Sequence, residues 1–203
     1  MIDLLPLALL ATLVFFVFRK RERLRRVVLL GQHLMQFQIE KLMETVADGY
    51  LRALGEPDPT RREQIWRYLD ANETQLCEQF ERFVADFAKR GEVETRVSKL
   101  PIGIPMATQM FPQATFDLRK ALAIHAHGLT QAASNALQRT PRDKAFTMSA
   151  ELFLMQHTCH WFCNSRAVAD ARLLARHKTS HAQVLAAVGA DTRRAYLALT
   201  GIG

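Results

Sequence analysis

Residues 4–26 read LLPLALLATLVFFVFRKRERLRR, and the interpretation of the whole chain begins from this stretch. Its first part, Leu4 to Phe18, is uncharged and almost wholly apolar. As an α-helix this part would rise about 22 Å, against a hydrocarbon core of about 30 Å in a typical bilayer. Lys and Arg side chains at the end of such a helix can reach the lipid headgroups. The stretch therefore predicts a short transmembrane helix over residues 1–18.

The second part of this stretch, residues 19–26, is strongly basic and contains a single acid, Glu22. Its basic residues are Arg19, Lys20, Arg21, Arg23, Arg25 and Arg26. We expect all six to lie at the membrane interface, because Lys and Arg beside a span favour the cytoplasmic side. The pattern predicts a single-pass protein of the plasma (inner) membrane, with Met1 outside and residues 27–203 forming a cytoplasmic domain. A cleaved signal peptide, an interfacial helix and a buried core helix remain as alternatives.

The net charge of the chain is concentrated in this basic segment. The whole chain carries +7. Residues 1–18 carry −1 through Asp3 and residues 19–26 carry +5, so residues 27–203 hold only +3. A protein that binds nucleic acid gathers its basic side chains on one face, and the remaining chain gives no sign of such a face. No specific nucleic-acid partner is therefore predicted. The three cysteines would lie in a reducing compartment, where structural disulfides are not expected.

Beyond residue 26, apolar residues recur at helical spacing in four long segments. The pattern predicts long helices over residues 24–54, 60–90, 112–139 and 140–178, a short one that Ser180 to Gln183 cap and Gly189 ends, and a last one over residues 191–199. Gly55 and two prolines end the first helix, while Thr140 and Pro141 mark the start of the fourth. No segment is predicted to be a β-strand. The predicted fold is all-α: an N-terminal transmembrane helix, an antiparallel four-helix bundle and short C-terminal helices.

The connection between the second and third predicted helices, residues 91–111, contains the apolar sequence LPIGIPM at positions 100–106. In an antiparallel bundle this connection returns to the end at which the first helix enters the bundle, close to the basic segment. One interpretation is that its apolar side chains cover the open end of the bundle. The other is that Ile102, Ile104 and Met106 bind lipid headgroups or a partner protein, and we take these three as the predicted partner-binding residues.

Motifs of known catalytic chemistry are absent, and the main concentration of reactive side chains is QHTCHWFC, residues 156–163. Counting outward from the turn near residue 141 brings His125 to the level of His157. The alternative hypothesis is therefore a metal or haem site formed by His125, His157, His160 and Glu40, since bundles bind metals through histidine and carboxylate side chains. Core histidines with structural roles explain the pattern more simply, and no cofactor is predicted. A nucleophilic Cys159 or Cys163 is disfavoured, because apolar surroundings raise a thiol's pKa.

The sequence favours an interaction or scaffold module, anchored in the membrane, that holds a partner protein at the cytoplasmic face. Its expected partners are the membrane and a protein, which can belong to a membrane complex, and self-association is left open. Whether the chain is an enzyme is also left open. The alternative is a metal- or haem-binding bundle that acts as a redox or hydrolytic enzyme, or as a cofactor carrier, through His125, His157 and His160.

Overall fold

The computed structural model describes residues 4–202, and its ten α-helices over that range confirm the all-α class. The helices are α1 (Leu4–Leu34), α2 (Ile39–Gly55), α3 (Pro59–Phe87), α4 (Glu92–Thr95), α5 (Ala107–Met110), α6 (Leu118–Ser134), α7 (Pro141–Cys163), α8 (Arg166–His177), α9 (His181–Ala187) and α10 (Ala190–Thr200). Two short strands, β1 (Arg96–Ser98) and β2 (Thr115–Asp117), pair antiparallel. The expectation that no segment forms a strand is wrong at these two places.

Four of the helices surround the main core. α2 packs against α3, α3 against α6 and α6 against α7, and α7 returns to contact α2. Large apolar side chains fill the space between them, including Val46, Leu69, Phe80, Leu122 and Met148. The C-terminal helices α8, α9 and α10 pack on the outside of α6 and α7 and form a second, smaller apolar cluster.

Three of the four predicted long helices differ from those in the structure. The first breaks after Leu34, so that α1 and α2 are separate helices. The third begins only at Leu118, because residues 115–117 pair with β1 and the side chain of Asp117 then caps α6. The fourth ends at Cys163, and the chain restarts as α8 with the Ser165 side chain as its N-cap. The predicted start at Thr140 and Pro141 is confirmed, with the Thr140 hydroxyl accepting a hydrogen bond from the Asp143 amide.

Within residues 4–202, no helix combines the length and the apolar character needed to cross a membrane. The predicted transmembrane helix over residues 1–18 is therefore wrong, and so is the single-pass plasma-membrane location that followed from it. The physical reason lies in α1, whose apolar part ends at Phe18 after a rise of about 22 Å, short of the roughly 30 Å of a bilayer core. The helix then continues without a break through the basic segment. Residues 1–3 of the predicted span lie outside the described residues.

Candidate functional site

The first half of α1 exposes apolar side chains on every side. Each residue from Leu5 to Phe18 is exposed, and most of them are large and apolar. The large ones are Leu5, Leu7, Leu9, Leu10, Leu13, Val14, Phe15, Phe16, Val17 and Phe18. A helix that is apolar on all sides is normally buried rather than surrounded by water. Contiguous apolar surface of this kind marks an interaction site.

Directly after this apolar segment, one face of α1 forms the wall of a cavity of about 450 Å³. Four of the predicted interface residues line it: Arg19, Lys20, Arg23 and Arg26. Arg21 and Arg25 do not, because they point away from this face and are exposed. The cavity is completed by the loop before α5, by the end of α7 and by α8, which contributes Arg172. Ile102 and Ile104 of the predicted partner-binding set lie in its lining.

The loop is fastened to α1 through Glu22. One carboxylate oxygen of Glu22 accepts a hydrogen bond from the Met106 amide at 3.1 Å, and the other pairs with the Arg26 guanidinium at 2.6 Å. Arg26 also donates to the Phe162 carbonyl at 3.0 Å and lies 5.4 Å above the centre of the Phe162 ring. Burial lowers the pKa of Arg26, against the opposing effect of the Glu22 charge. Met106, the third predicted partner-binding residue, is therefore a half-exposed anchor point beside the cavity.

The inner wall of the cavity is apolar and held by β1. The Trp161 indole donates a hydrogen bond to the Ser98 carbonyl at 2.8 Å, and its ring meets Phe116 of β2 edge-on at 4.9 Å. Gly103 lies so close to α1 that an added Cβ would be 3.3 Å from both Arg19 Nε and the Asn164 carbonyl oxygen. The short hairpin thus fixes the position of the loop residues that the sequence singled out.

Most of the positive charge in the cavity is uncompensated. Among residues 4–202, no carboxylate lies within ion-pair distance of Arg19, Lys20, Arg23 or Arg172. Glu22 is the single acid in the lining, and its carboxylate is already paired with Arg26. The cavity therefore presents several cationic groups that have no carboxylate partner, next to an apolar wall; one of them, Arg172, contacts the His160 ring.

The histidines of α6 and α7 lie in a second, buried region. His125 is fully buried, and its Nε2 lies 2.9 Å from the Thr158 hydroxyl. Because that hydroxyl donates to the Leu154 carbonyl, the His125 Nε2–H is the donor in this pair. Burial lowers the pKa of His125 to about 3, and the nearby charge of His157 acts in the same direction. His125 is therefore a neutral core residue.

His157 is buried between α7, α8 and α9. Its Nε2 lies 2.7 Å from an Asp170 carboxylate oxygen, and its ring stacks on that of His181 with the centroids 4.4 Å apart. Burial, with the neighbouring charge of His181, lowers the pKa of His157 to about 4. His160, one turn further along α7, lines the same surface cavity as His157, and its Nδ1 lies 3.2 Å from Arg172. Glu40 is exposed on α2.

The structure does not bring the proposed metal-ligand set together. His157 and His160 line one cavity, but His125 bonds Thr158 in the core and Glu40 faces solvent. Within residues 4–202, no group of three or more His, Cys, Asp or Glu side chains is arranged to hold a metal ion. The thiols are also unsuited to nucleophilic attack, because burial raises the pKa of Cys159 to about 12 and of Cys163 to about 11.

Two residues of the cavity escaped the sequence interpretation. Arg172 falls inside the continuous fourth helix predicted over residues 140–178, and the sequence predicts no role for Trp161 at a cavity. The signal that could have revealed Arg172 is Ser165, a strong N-cap residue, which allows the chain to turn after Asn164 and α8 to fold back towards α1. No sequence signal identifies Trp161 as a cavity wall, because its place depends on the pairing of β1 with β2.

Comparisons of the chain with protein families, with curated proteins and with solved structures give no significant match. The exposed segment of α1 and the basic cavity beside it are therefore the features from which a function can be argued.

Proposed function

We propose that the chain is an interaction module whose exposed apolar helix, residues 5–18, docks into an apolar groove of a partner protein. The observation that carries the proposal is the exposure of every residue from Leu5 to Phe18. Covering this much apolar surface is favourable by about 25 cal/mol per Å². An amphipathic or apolar helix laid into a groove is a common mode of protein recognition.

The charge of α1 indicates the kind of groove that fits. Residues 19–26 follow the apolar segment without a helix break and carry a net charge of +5. Parallel association with a second copy would bring two such segments together, and like charges in close contact are unfavourable. A groove with acidic side chains at one end would instead pair with them. We therefore assign the partner as a protein whose apolar groove is bordered by Asp and Glu.

The proposal is tested with a designed peptide of about three heptads, carrying Leu at the core positions and Glu at the flanking positions. Binding to the full chain is measured by fluorescence anisotropy at two salt concentrations. We expect binding that weakens as salt rises, because exposed charge pairs are screened. A matched peptide with Lys in place of Glu should bind at least about tenfold more weakly, a difference of about 1.4 kcal/mol.

Variants of the full chain locate the contact. Leu9→Gln with Leu13→Gln removes two side chains that are more than 60% exposed, so the fold is expected to persist while peptide binding is lost. Leu51→Gln with Leu137→Gln is the matched control, since both residues are even more exposed but lie far along the chain from the docking segment. Equal binding of the Glu and Lys peptides would contradict the proposal. So would self-association that the Leu9 and Leu13 changes abolish, or binding to lipid vesicles in place of the peptide.

A further inference from the structure

We propose that the cavity between α1, the loop at residues 99–106 and α8 binds a small organic anion that carries an apolar group. An alkyl phosphate or a long-chain carboxylate has this chemistry. The inference goes beyond the docking of α1 and does not require it: of the docking segment only Phe16 lies in the cavity lining, and Leu9 and Leu13 do not. Loss of one activity can therefore be distinguished from loss of the other.

The unpaired cations of the cavity favour a negatively charged ligand. Arg19, Lys20 and Arg23 lie on one face of α1, and Arg172 comes from α8 to the same space. None of the four has a carboxylate partner among residues 4–202. Several cations gathered without counter-charges repel one another, and a bound anion would relieve that repulsion. Guanidinium groups suit phosphate and carboxylate best, because their N–H groups can donate to two oxygens at once.

The remaining lining calls for an apolar substituent on that anion. Apolar side chains from α1, the loop, α7 and α8 line the same cavity: Phe16, Ile102, Ile104, Pro105, Trp161 and Val168. A bare inorganic ion would leave these side chains uncovered. Ligand cavities of roughly 300–1,000 Å³ with mainly apolar walls and a few polar groups are typical of small-molecule sites. The observed volume of about 450 Å³ falls in the lower part of this range.

The walls of the cavity are held in place before any ligand arrives. Glu22 fastens the loop to α1 through the Met106 amide, and the Ala167 amide of α8 donates to the Pro101 carbonyl at 3.0 Å. Arg26 is occupied by Glu22 and by the Phe162 carbonyl, so it supports the wall. A site whose frame is already ordered loses little conformational freedom on binding, and this favours affinity.

The test is isothermal titration calorimetry of the full chain with three probes: octyl phosphate, inorganic phosphate and octyl glucoside, each below its critical micelle concentration. Octyl phosphate carries both a negative charge and an octyl group, inorganic phosphate carries only the charge, and octyl glucoside carries only the octyl group. We expect octyl phosphate to bind at least about tenfold more tightly than either. If inorganic phosphate binds as tightly as octyl phosphate, the protein does not recognise the octyl group. If octyl glucoside binds as tightly, the protein does not recognise the phosphate charge. Either result would overturn the proposal.

Paired variants separate a built site from general attraction to a basic helix. Lys20→Gln with Arg23→Gln removes two free cations of the cavity, and we expect the affinity for octyl phosphate to fall by about tenfold or more. Arg21→Gln with Arg25→Gln removes the same charge from the opposite face of the same helix, and the affinity should be almost unchanged. All four side chains belong to exposed residues, so folding is not at issue. Equal losses in the two variants would overturn the proposal.

Discussion

The carboxylate of Glu22 accepts a hydrogen bond from the backbone amide of Met106, although 84 residues separate them in the chain. This bond joins the basic part of α1 to the apolar loop. The same carboxylate holds Arg26 at 2.6 Å, and the Arg26 side chain is only 15% exposed. One acidic residue therefore joins the loop to α1 and, through Arg26, to the end of α7.

Replacing Glu22 by Ala should release the loop. The substitution leaves the nearly buried Arg26 without its carboxylate and the Met106 amide without an acceptor, so the free energy of unfolding should fall by about 1 to 2 kcal/mol. Urea denaturation measures that loss, and amide hydrogen exchange at Met106 measures the release of the loop. Glu44→Ala, at an exposed position of α2, is the control. Unchanged exchange at Met106 would show that Glu22 does not hold the loop.

A buried ion pair between α3 and α7 should make a larger contribution to stability. Lys144 Nζ lies 2.6 Å from Glu73, which is 2% exposed and also accepts a hydrogen bond from the Tyr50 hydroxyl. Lys144→Met leaves this carboxylate buried without its cation, and we expect a loss of about 3 kcal/mol by urea denaturation.

The double variant Glu73→Gln with Lys144→Met tests the cause of that loss. Because it removes the unpaired charge, part of the stability should return. Lys41→Met, at an exposed position, should change stability by no more than about 0.5 kcal/mol. Glu73→Gln is also measured alone. If it lowers the free energy of unfolding by the same amount in the wild-type protein and in Lys144→Met, the two side chains are not coupled.

Glu151 should make stability depend on pH. It is buried on α7, where burial raises its pKa to about 7, against the opposing hydrogen bond from the Gly189 amide. The unfolded carboxyl, with a pKa of 4.5, releases its proton first. Between pH 4.5 and pH 7 the folded state therefore binds more protons than the unfolded state. The contribution of Glu151 to the free energy of unfolding is fully present below pH 4.5 and is lost as pH rises through 7.

Glu151→Gln removes this dependence. Relative to the wild-type protein, its free energy of unfolding should rise by about 2 kcal/mol between pH 5 and pH 8. The difference between the two proteins is the quantity to compare, since His125, with a pKa lowered to about 3, gives both a dependence of opposite sign. Urea denaturation at several pH values provides the measurement, and parallel curves for the two proteins would refute the assignment.

The helices can largely be predicted from the sequence, but the assembly of the cavity cannot. Helical periodicity and the Thr140–Pro141 start signal predict that the chain is helical and where α7 begins, because both depend on local residues. The break at Leu34 depends on the packing of α2 against α3, whereas the break after Cys163 has a local signal in the N-cap residue Ser165. The strands at residues 96–98 and 115–117 escaped prediction because each is only three residues long and is stabilised by the other.

For the candidate sites, too, the sequence predicts what depends on connectivity and misses what depends on helix rotation. Antiparallel connectivity alone predicts that the loop returns to the basic end of the first helix, and the loop does lie against Arg19 and Glu22. The grouping of His160 and Glu40 with His125 depended on helix rotation, which spacing along the chain does not determine. His160 turns towards Arg172 and Glu40 towards solvent.

Photo-crosslinking tests the docking of α1 most directly. A benzophenone side chain is placed at Leu9 in the exposed apolar segment or, as the control, at Leu51 on α2, where the exposed fraction is similar. Each protein is irradiated with the Glu-flanked amphipathic peptide, and the products are mapped by mass spectrometry. We expect crosslinks from position 9 to the Leu positions of the peptide, reduced by added salt, and almost none from position 51. Equal crosslinking from the two positions, or none from position 9, would contradict the proposed docking.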